Sequence, residues 1–484
     1  MSQVLGISSA DLFLWSRKIR PRPLLYSINR MIPPDSDSPD TSSRRQHGSS
    51  DDPNSGGNRR RRNNRSRNRN RNRNRNQNDG GQGDGQKQGR VRGYGPRRGE
   101  QRDRKPLEFT GEPVEVDGLL EMAPKGFGFL RKPDKDFEQN SDDVFVSPDM
   151  VRKNALRPGI WIKGVAREST RGPQLVELSA INDQAPEDAR RLPAFEELKA
   201  INPSKRIAFE TVPDRHTTRI VDIMAPVGRG QRGLIVSPPR SGKTTMLLHM
   251  AQAVQELHEE TLHLIVLLVD ERPEEVTEFR RQLPDAEIYA SSNDESPRNH
   301  CRLAELCIER AKRLVESGKH VFILMDSITR LARAYNGAMG GSRQSRGRGY
   351  QSGGIVAGAL EMPRRLFAAA RNTREAGSLT IIATALVQTN SKADEAIFQE
   401  FKGTGNMELV LDRRIAEHYV YPAVDIFKSG TRREELLLPE HNLHKLRLIR
   451  RGLAGHKPIE AMERLLFFTK KFPSNAQMLM EIKG

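Results

Sequence analysis

Residues 237–245 come close to the pattern of a phosphate-binding loop. That pattern is Gly-x-x-x-x-Gly-Lys-Ser/Thr, and Gly242, Lys243 and Thr244 supply its second half, whereas Ser237 stands in place of the first glycine. In such a loop, backbone N–H groups face the phosphates, the lysine reaches the β- and γ-phosphates, and the hydroxyl binds Mg²⁺. A serine is small enough to fit, so the stretch predicts a site for ATP and Mg²⁺. An ordinary strand–turn–helix is the alternative.

Acidic residues end two apolar runs further along the chain. The first run ends in Asp270, Glu271 and Arg272, and the second ends in Asp326. A carboxylate at a strand end near the phosphate loop can hold Mg²⁺ through water, which is the role we predict for Asp326. A second carboxylate one strand away can orient the attacking water, which we predict for Glu271. Each acid alone is more often a solvated strand end, but the combination indicates a hydrolase of Mg-nucleotides.

The elements that must position these groups are apolar strands that alternate with amphipathic helices. This alternation starts at about residue 219 and implies an α/β domain with a parallel sheet. "RGLIVS" precedes the loop as a strand, and "KTTMLLHMAQAVQEL" follows it with helical spacing. We therefore predict an ATPase domain over residues 219–484, after a linker at 186–218 that contains short helical pieces.

A different pattern fills residues 109–185, where short apolar–polar alternations are separated by Gly and Pro, as is typical of a small β-barrel. Within it, "GFGFLR" places Phe127 and Phe129 on one face of a strand, with Arg131 on the same side. Exposed rings beside a cation suit the stacking of single-stranded bases. Two phenylalanines on one strand face are, however, usually part of a core.

A second segment of the barrel, "DDVFVSP", could add to such a surface. Phe145 would be a third ring, and Asp143 beside it would accept hydrogen bonds from a base edge.

Most of the positive charge lies in the first 108 residues. They hold 25 Lys and Arg against 11 Asp and Glu, a net of +14 out of +18 for the whole chain of 484 residues. Residues 33–105 consist largely of Ser, Asp, Gly, Asn, Gln and Arg around "RNRNRNRNRN". Such a segment cannot bury enough apolar surface to fold. We predict that residues 1–108 form a disordered basic tail, which either solubilises the protein or tethers nucleic-acid phosphates.

Composition also excludes several classes of protein. Cys301 and Cys307 alone form neither a disulfide framework nor a metal cluster, which fits a reducing compartment. No apolar run approaches the roughly 20 residues that a membrane span needs. The N-terminus has no clear signal-peptide cleavage site, and translation could begin at Met1 or at Met31. We therefore predict a cytoplasmic protein without a membrane partner.

Six longer motifs together resemble the Rho family of bacterial transcription termination factors. They are "VGRGQRGLIV", "LLVDERPEEVTE", "DSITRLARAYN", "SLTIIATALV", "QEFKGTGNMEL" and "KSGTRREELL", and the resemblance covers about residues 109–460. It implies a RecA-like ATPase domain preceded by an OB-fold or cold-shock-like barrel that binds RNA. It also implies a homohexameric translocase that moves along single-stranded nascent RNA and releases it from RNA polymerase, with elongation factors as further partners.

The resemblance implies a role for each matching residue. Lys243, Glu271, Asp326 and Arg432 would be catalytic, and Thr244 with Asp326 would hold Mg²⁺. Arg432 would enter a neighbouring subunit's pocket as an arginine finger. Residues that contact the nucleotide would be Gly228, Arg229, Gly230, Gln231, Arg232, Gly233, Arg240, Ser241, Gly242, Lys243, Thr244, Thr245, Arg272 and Tyr421. Residues that contact RNA would be Gly126, Phe127, Gly128, Phe129, Leu130, Arg131, Asp143, Val144, Phe145 and Lys392.

The sequence leaves an alternative role open for Arg432, the predicted arginine finger. Arg432 could instead form a surface ion pair with Glu434 or Glu435.

The chain also departs from the family pattern in several places. The family commonly carries a helical bundle where this chain has its basic tail. The segment "GAMGGSRQSRGRGYQSGG", with Arg343, Arg346 and Arg348, is longer than usual. Tyr419 stands where a basic residue is expected, and no aromatic residue lies near Gln174.

Two rival functions share parts of this pattern. A catalytic subunit of a rotary ATPase would have a similar sheet and finger but no use for "GFGFLR" or the arginine-rich tail. An RNA-binding regulator with a vestigial ATPase is the second rival, and the intact Lys243, Glu271, Asp326 and Arg432 argue against it.

Overall fold

The computed structural model describes residues 109–340 and 349–482. The predicted basic tail, residues 1–108, lies outside the described part, as do Arg343, Arg346 and Arg348. Predictions for these residues therefore stay predictions.

The first body is a closed five-stranded barrel with the strand order β1-β2-β3-β5-β4. The strands are β1 (Val114–Met122), β2 (Gly128–Arg131), β3 (Val144–Val146), β4 (Trp161–Ser169) and β5 (Gly172–Ile181), with helix α1 (Pro148–Lys153) between β3 and β4. Because side chains alternate across each strand, one set fills the barrel core, including Leu120, Leu130, Val144, Ile162 and Leu175. The predicted barrel is therefore present.

The second body is built on a nine-stranded sheet with the main order β11-β10-β12-β16-β9-β17-β18. All neighbours in this order pair in parallel except β17 with β18. The strands of this body are β6 (Ala200–Ile201), β7 (Arg206–Ile207), β8 (Val227–Gly228), β9 (Arg232–Ser237), β10 (His263–Glu271), β11 (Glu287–Ser292), β12 (His320–Asp326), β13 (Tyr350–Gln351), β14 (Ile355–Val356), β15 (Arg371–Thr373), β16 (Ser378–Leu386), β17 (Met407–Val410) and β18 (Gly430–Thr431).

Helices cover both faces of this sheet. They are α3 (His216–Met224), α4 (Lys243–His258), α5 (Pro273–Gln282), α6 (Pro297–Glu316), α7 (Ile328–Gly340), α8 (Glu361–Ala368), α9 (Lys392–Lys402), α10 (Arg413–Glu417), α11 (Glu440–Leu453), α12 (Pro458–Lys471) and α13 (Asn475–Glu481). The short helix α2 (Pro186–Ala189) instead packs on strand β5 of the barrel. Alternate residues of β10 face two cores: Val266 packs with α3, α4 and α5, whereas Leu267 packs with α6 and α7. Burial on both faces explains the continuous apolar strands of the sequence.

The predicted linker at 186–218 is not a free connection. β6 joins the large sheet by pairing with β15, and β7 pairs with β8. Phe195 is fully buried, and its N–H donates to the Glu316 carboxylate at the end of α6. Apolar residues in this segment therefore anchor it to the ATPase domain, and the predicted domain boundaries stay a prediction.

The barrel is joined to helix α6 and strand β11 of the ATPase domain by several specific contacts. The Phe137 ring stacks on Tyr289 with centroids 4.4 Å apart and planes 9° from parallel. One guanidinium nitrogen of Arg302 lies 3.1 Å from both Glu121 Oε2 and the Phe137 carbonyl oxygen. Arg157 forms a two-pronged pair with Glu316 at 2.9 and 2.7 Å.

Across the described residues, no helix combines the length and apolar character of a membrane span.

Candidate nucleotide and RNA sites

The phosphate loop lies between the end of β9 at Ser237 and the start of α4 at Lys243. Gly242 has a φ of 86°, a left-handed conformation that favours glycine. The Ser237 hydroxyl lies 2.9 Å from the Ser241 hydroxyl, which donates to the Pro238 carbonyl at 2.8 Å. Serine in the first position therefore ties the two ends of the loop together, which a glycine could not do.

Lys243 contacts both predicted carboxylates. Its Nζ lies 2.8 and 2.7 Å from the two Asp326 oxygens and 3.6 Å from Glu271 Oε2. Asp326 and Glu271 end neighbouring parallel strands, β12 and β10, beside the loop. The structure therefore brings together the lysine, the predicted Mg²⁺ ligand and the predicted catalytic acid.

Glu271 is held in a buried position with one oxygen free. Its Oε1 lies 3.1 Å from the Arg330 guanidinium, whereas its buried Oε2 accepts no hydrogen bond among the described residues. Burial raises the pKa of Glu271, and the nearby Asp326 charge raises it further. A carboxylate with a free oxygen and a raised pKa is suited to accept a proton from water.

Oxygen ligands near the loop suit Mg²⁺. Asp326 lies at the loop, and the Thr244 hydroxyl donates to Glu275 Oε2 at 3.4 Å. No group of three or more His, Cys, Asp or Glu that could hold a metal occurs within residues 109–340 and 349–482. Mg²⁺ is usually bound by one or two carboxylates together with substrate phosphates, and Asp326 lies beside the loop at the position such a ligand would need.

Three further residues of this site were not predicted from the sequence. Thr384 donates to Asp326 Oδ1 at 2.7 Å, Arg330 pairs with Glu271, and Glu275 contacts Thr244. Thr384 could have been found as a polar residue within the apolar run "TIIATAL". Arg330 lies shortly after Asp326, at the start of α7. Nothing in its sequence context predicts a contact with Glu271.

Other predicted nucleotide contacts line the rim of the loop. Arg240, Thr245 and Arg272 are exposed near it. The Tyr421 ring is half-exposed, and a Cβ placed on Gly242 would lie 3.6 Å from it. An open aromatic face beside the loop is available for stacking on a base.

The structure contradicts the prediction for Gly228–Gly233 within a single subunit. These residues precede or begin β9, whereas the phosphate loop follows its other end. At about 3.3 Å per residue, the five steps from Arg232 to Ser237 span roughly 17 Å. Gly230 instead donates to the Thr380 hydroxyl, and Gln231 donates to Asn406. The six residues support the opposite end of the sheet and do not line the loop.

Arg432 also lies at this opposite end of the sheet. It follows β18, where Thr431 pairs with Met407, and Met407 pairs with Gly233 at the start of β9. The Arg432 side chain is exposed and has no ion pair within the described residues. The predicted alternative partners are engaged elsewhere: Glu434 pairs with Arg450, and Glu435 pairs with Arg433.

On the barrel, the three predicted rings form one cluster. Phe127, Phe129 and Phe145 are half-buried, with centroids 5.5 to 5.7 Å apart. Strand register places Phe129 between Glu121 and Phe145, and Phe145 opposite Gln174. Residues paired across strands face the same side. The rings therefore lie on the outer face of the barrel and are not part of its core.

The remaining residues of the predicted RNA surface have different positions. The buried Arg131 guanidinium lies 5.2 Å from the Phe129 ring centroid and pairs with Glu121 and Asp143, so its charge is largely neutralised. Leu130 and Val144 point into the barrel core, which excludes their side chains from RNA contact. Gly128 is required sterically, because a Cβ there would lie 2.6 Å from Leu120. Gly126 has a φ of 80° in the preceding turn.

Lys392 begins α9 at the same edge of the sheet as the phosphate loop and is exposed. The segment that follows the long loop packs beside it, since a Cβ on Gly353 would lie 2.7 Å from the Lys392 carbonyl oxygen. This places the end of that loop next to Lys392.

We expect Phe127→Ala combined with Phe129→Ala to weaken RNA binding by about one to four orders of magnitude, because stacking is worth about 1–3 kcal/mol per base. Fluorescence anisotropy with a short single-stranded RNA measures this change. ATP binding should stay unchanged, and Phe467→Ala, an exposed ring on α12, is the control. Unaltered RNA affinity in a folded double variant would refute base stacking at these rings.

Comparisons with known proteins match both bodies. The family model described as "Rho termination factor, RNA-binding domain" matches residues 116–187. The model described as "ATP synthase alpha/beta family, nucleotide-binding domain" matches residues 217–431. Transcription termination factor Rho of Aquifex aeolicus is 47% identical over 372 residues, 76% of this chain and 84% of the relative. The protein of that name from Pseudomonas fluorescens biotype C is 47% identical over 380 residues, 77% of this chain and 89% of the relative.

Proposed function

The chain belongs to the Rho transcription termination factor family, and from this membership we propose a role for each part of the two sites. The protein is an RNA-binding, ATP-hydrolysing translocase that terminates transcription. The rotary-ATPase alternative is set aside, because the barrel matches the RNA-binding domain of this family and the curated relatives carry its name.

In the nucleotide site, the loop and Lys243 would hold the β- and γ-phosphates of ATP. Lys243 would exchange part of its contact with Asp326 and Glu271 for the phosphates. Thr244 and Asp326 would bind Mg²⁺, which when bound neutralises phosphate charge. Thr384 would hold the Asp326 carboxylate in place through its 2.7 Å hydrogen bond, and Tyr421 would stack on the adenine.

Glu271 would orient the attacking water through its free Oε2 and accept a proton as the phosphoryl group transfers. Arg330 would fix the other oxygen of this carboxylate. With one oxygen fixed and the other free, the carboxylate has a defined direction before substrate binds, which reduces the cost of reaching the reactive geometry.

The observation that carries the assembly proposal is the position of Arg432. The side chain is exposed and lies at the end of the sheet opposite its own phosphate loop. The length of β9 exceeds what an arginine side chain can span. As a catalytic arginine it would therefore have to act on the loop of another copy, which supports a homohexameric ring with shared sites.

In the RNA path, Phe127, Phe129 and Phe145 would stack bases at a primary site, whereas Lys392 would contact the RNA backbone at a second site. RNA polymerase and its elongation factors would be the partners from which the transcript is released. A cytoplasmic location follows from this role and stays a prediction.

To test this proposal, ATP turnover of the full chain is measured with and without poly(C) RNA, alongside native mass spectrometry. We expect turnover to depend on Mg²⁺ and to rise strongly with RNA in assemblies of six copies. Fully double-stranded RNA, whose bases cannot stack on the rings, is the control. Equal turnover with and without poly(C) would overturn RNA-coupled hydrolysis, and a monomer that retains full turnover would overturn the shared site.

A further inference from the structure

A second polar cavity of about 440 Å³ lies at the end of the sheet opposite the phosphate loop. It lies where β10 and β12 begin, and its wall includes Lys205, Arg229, Lys319 and His320. The roles proposed for this structure use none of these four side chains, because Arg229 lies away from the phosphate loop of its own subunit. Lys205, Arg229 and Lys319 are cationic, whereas burial and the nearby Arg229 and Lys205 charges lower the pKa of His320.

Arg229 is the unusual residue in this wall. It is only 6% exposed, yet its guanidinium makes no hydrogen bond or ion pair with residues 109–340 or 349–482. Burial lowers its pKa, and no carboxylate opposes this effect. A buried charge without a counter-charge is strongly destabilising, so such groups are normally paired.

Other buried arginines of the protein follow that rule. Arg219 pairs with Glu210 and donates to the Thr469 carbonyl, and Arg313 pairs with Glu316 at 3.1 Å. Arg229 differs from these arginines because its guanidinium has no protein partner among the described residues and lines the cavity, where an anion that enters can reach it.

The side chains around Arg229 indicate which kind of anion the cavity could bind. His320 Nδ1 lies 2.9 Å from the Ser378 hydroxyl, which leaves Nε2 for the cavity. Lys205 is exposed at the wall. Glu259 and Glu260 also line the cavity and are exposed. These two acids offset much of the positive charge, so the site suits one compact anionic group better than a long polyanion.

We propose that this cavity is a second anion site, in which the Arg229 guanidinium, with Lys205 and His320 beside it, binds a phosphoryl oxyanion. The planar guanidinium fork matches two oxygens of a phosphoryl group. The source is either free inorganic phosphate or a single phosphate of bound RNA. The site is separate from the phosphate loop and does not depend on the catalytic roles proposed above.

The test compares Lys243→Ala with Lys243→Ala/Arg229→Met in the full chain, so that the catalytic lysine does not contribute to phosphate binding. Thermal unfolding is followed in chloride and in inorganic phosphate at equal ionic strength. Phosphate should raise the midpoint of the parent by about 2–4 °C and leave that of the Arg229→Met protein unchanged.

Two further variants keep the result interpretable. Arg191→Gln, an exposed arginine outside the cavity, should retain the full phosphate shift. If Arg229→Met does not fold, Lys205→Gln at the same wall should show a reduced shift. An equal phosphate shift in the parent and in the cavity variants, or no shift in the parent, would overturn the proposal.

Calorimetric titration of phosphate with and without saturating single-stranded RNA identifies the source. Undiminished phosphate binding assigns the site to the free ion, and competition by RNA assigns it to an RNA phosphate. Either result supports the site when Arg229→Met removes the signal.

Discussion

Arg432→Ala is expected to bind ATP and assemble normally while losing about 10³–10⁵ of its RNA-stimulated turnover, the range that arginine fingers supply in comparable enzymes. The physical reason is that a guanidinium stabilises charge on the transferring phosphoryl group and contributes little to ground-state binding. Turnover at saturating RNA, together with a nucleotide-binding titration, measures the two quantities separately.

Arg433→Ala is the matched control, because Arg433 is the adjacent exposed arginine and pairs only with Glu435 among the described residues. It should retain nearly full turnover. Mixed rings of Arg432→Ala and Lys243→Ala subunits should recover part of the activity, since an intact arginine can then face an intact loop. Hybrid rings, verified by mass, that recover nothing would remove the support for action between subunits.

Glu271→Gln should reduce turnover by about 10²–10⁴, the usual contribution of a positioned general base. The amide keeps the size and the contact with Arg330 but cannot accept a proton from water. Turnover of the unaltered protein should also fall as the pH decreases through the raised pKa of Glu271, because protonation removes the base. This loss should begin at a higher pH than the ordinary glutamate value of 4.5 would give.

The control for this substitution is Glu274→Gln, an exposed glutamate at the start of α5. It should change neither the turnover nor its acid limb. Single-turnover kinetics across pH distinguishes the chemical step from product release. A Glu271→Gln protein with normal single-turnover rates would show that another group accepts the proton.

The central part of the nucleotide site was predictable because it depends on strand order alone. Lys243, Glu271 and Asp326 each follow an apolar strand, and the carboxyl ends of parallel strands meet at one edge of a sheet. The sequence therefore specified their convergence. The alternation in "GFGFLR" places Phe127 and Phe129 on one face of the strand. It does not predict whether that face is buried in the barrel or turned outward.

Other features depend on contacts between distant residues and could not be predicted. Gly228–Gly233 lies close to the phosphate loop in sequence, yet a whole strand separates the two in space. The pairing of Arg131 with Asp143 depends on the register of β2 and β3. Likewise, the segment 186–218 resembles a linker in composition, but the buried Phe195 contacts Glu316, 121 residues away.

The contacts that join the barrel to α6 have a mechanical consequence. Glu121 pairs both with Arg131, whose guanidinium lies over the Phe129 ring, and with Arg302 of α6. Helix α6 packs on β11, whose last residue, Ser292, pairs with Glu271. If RNA binds at these rings as proposed, tension on the transcript would be carried by stacked rings and ion pairs into the strand that ends in Glu271. On the proposed function, we expect the barrel and the ATPase domain of one subunit to move together, so that a stroke that advances RNA would come from displacement of one subunit against the next.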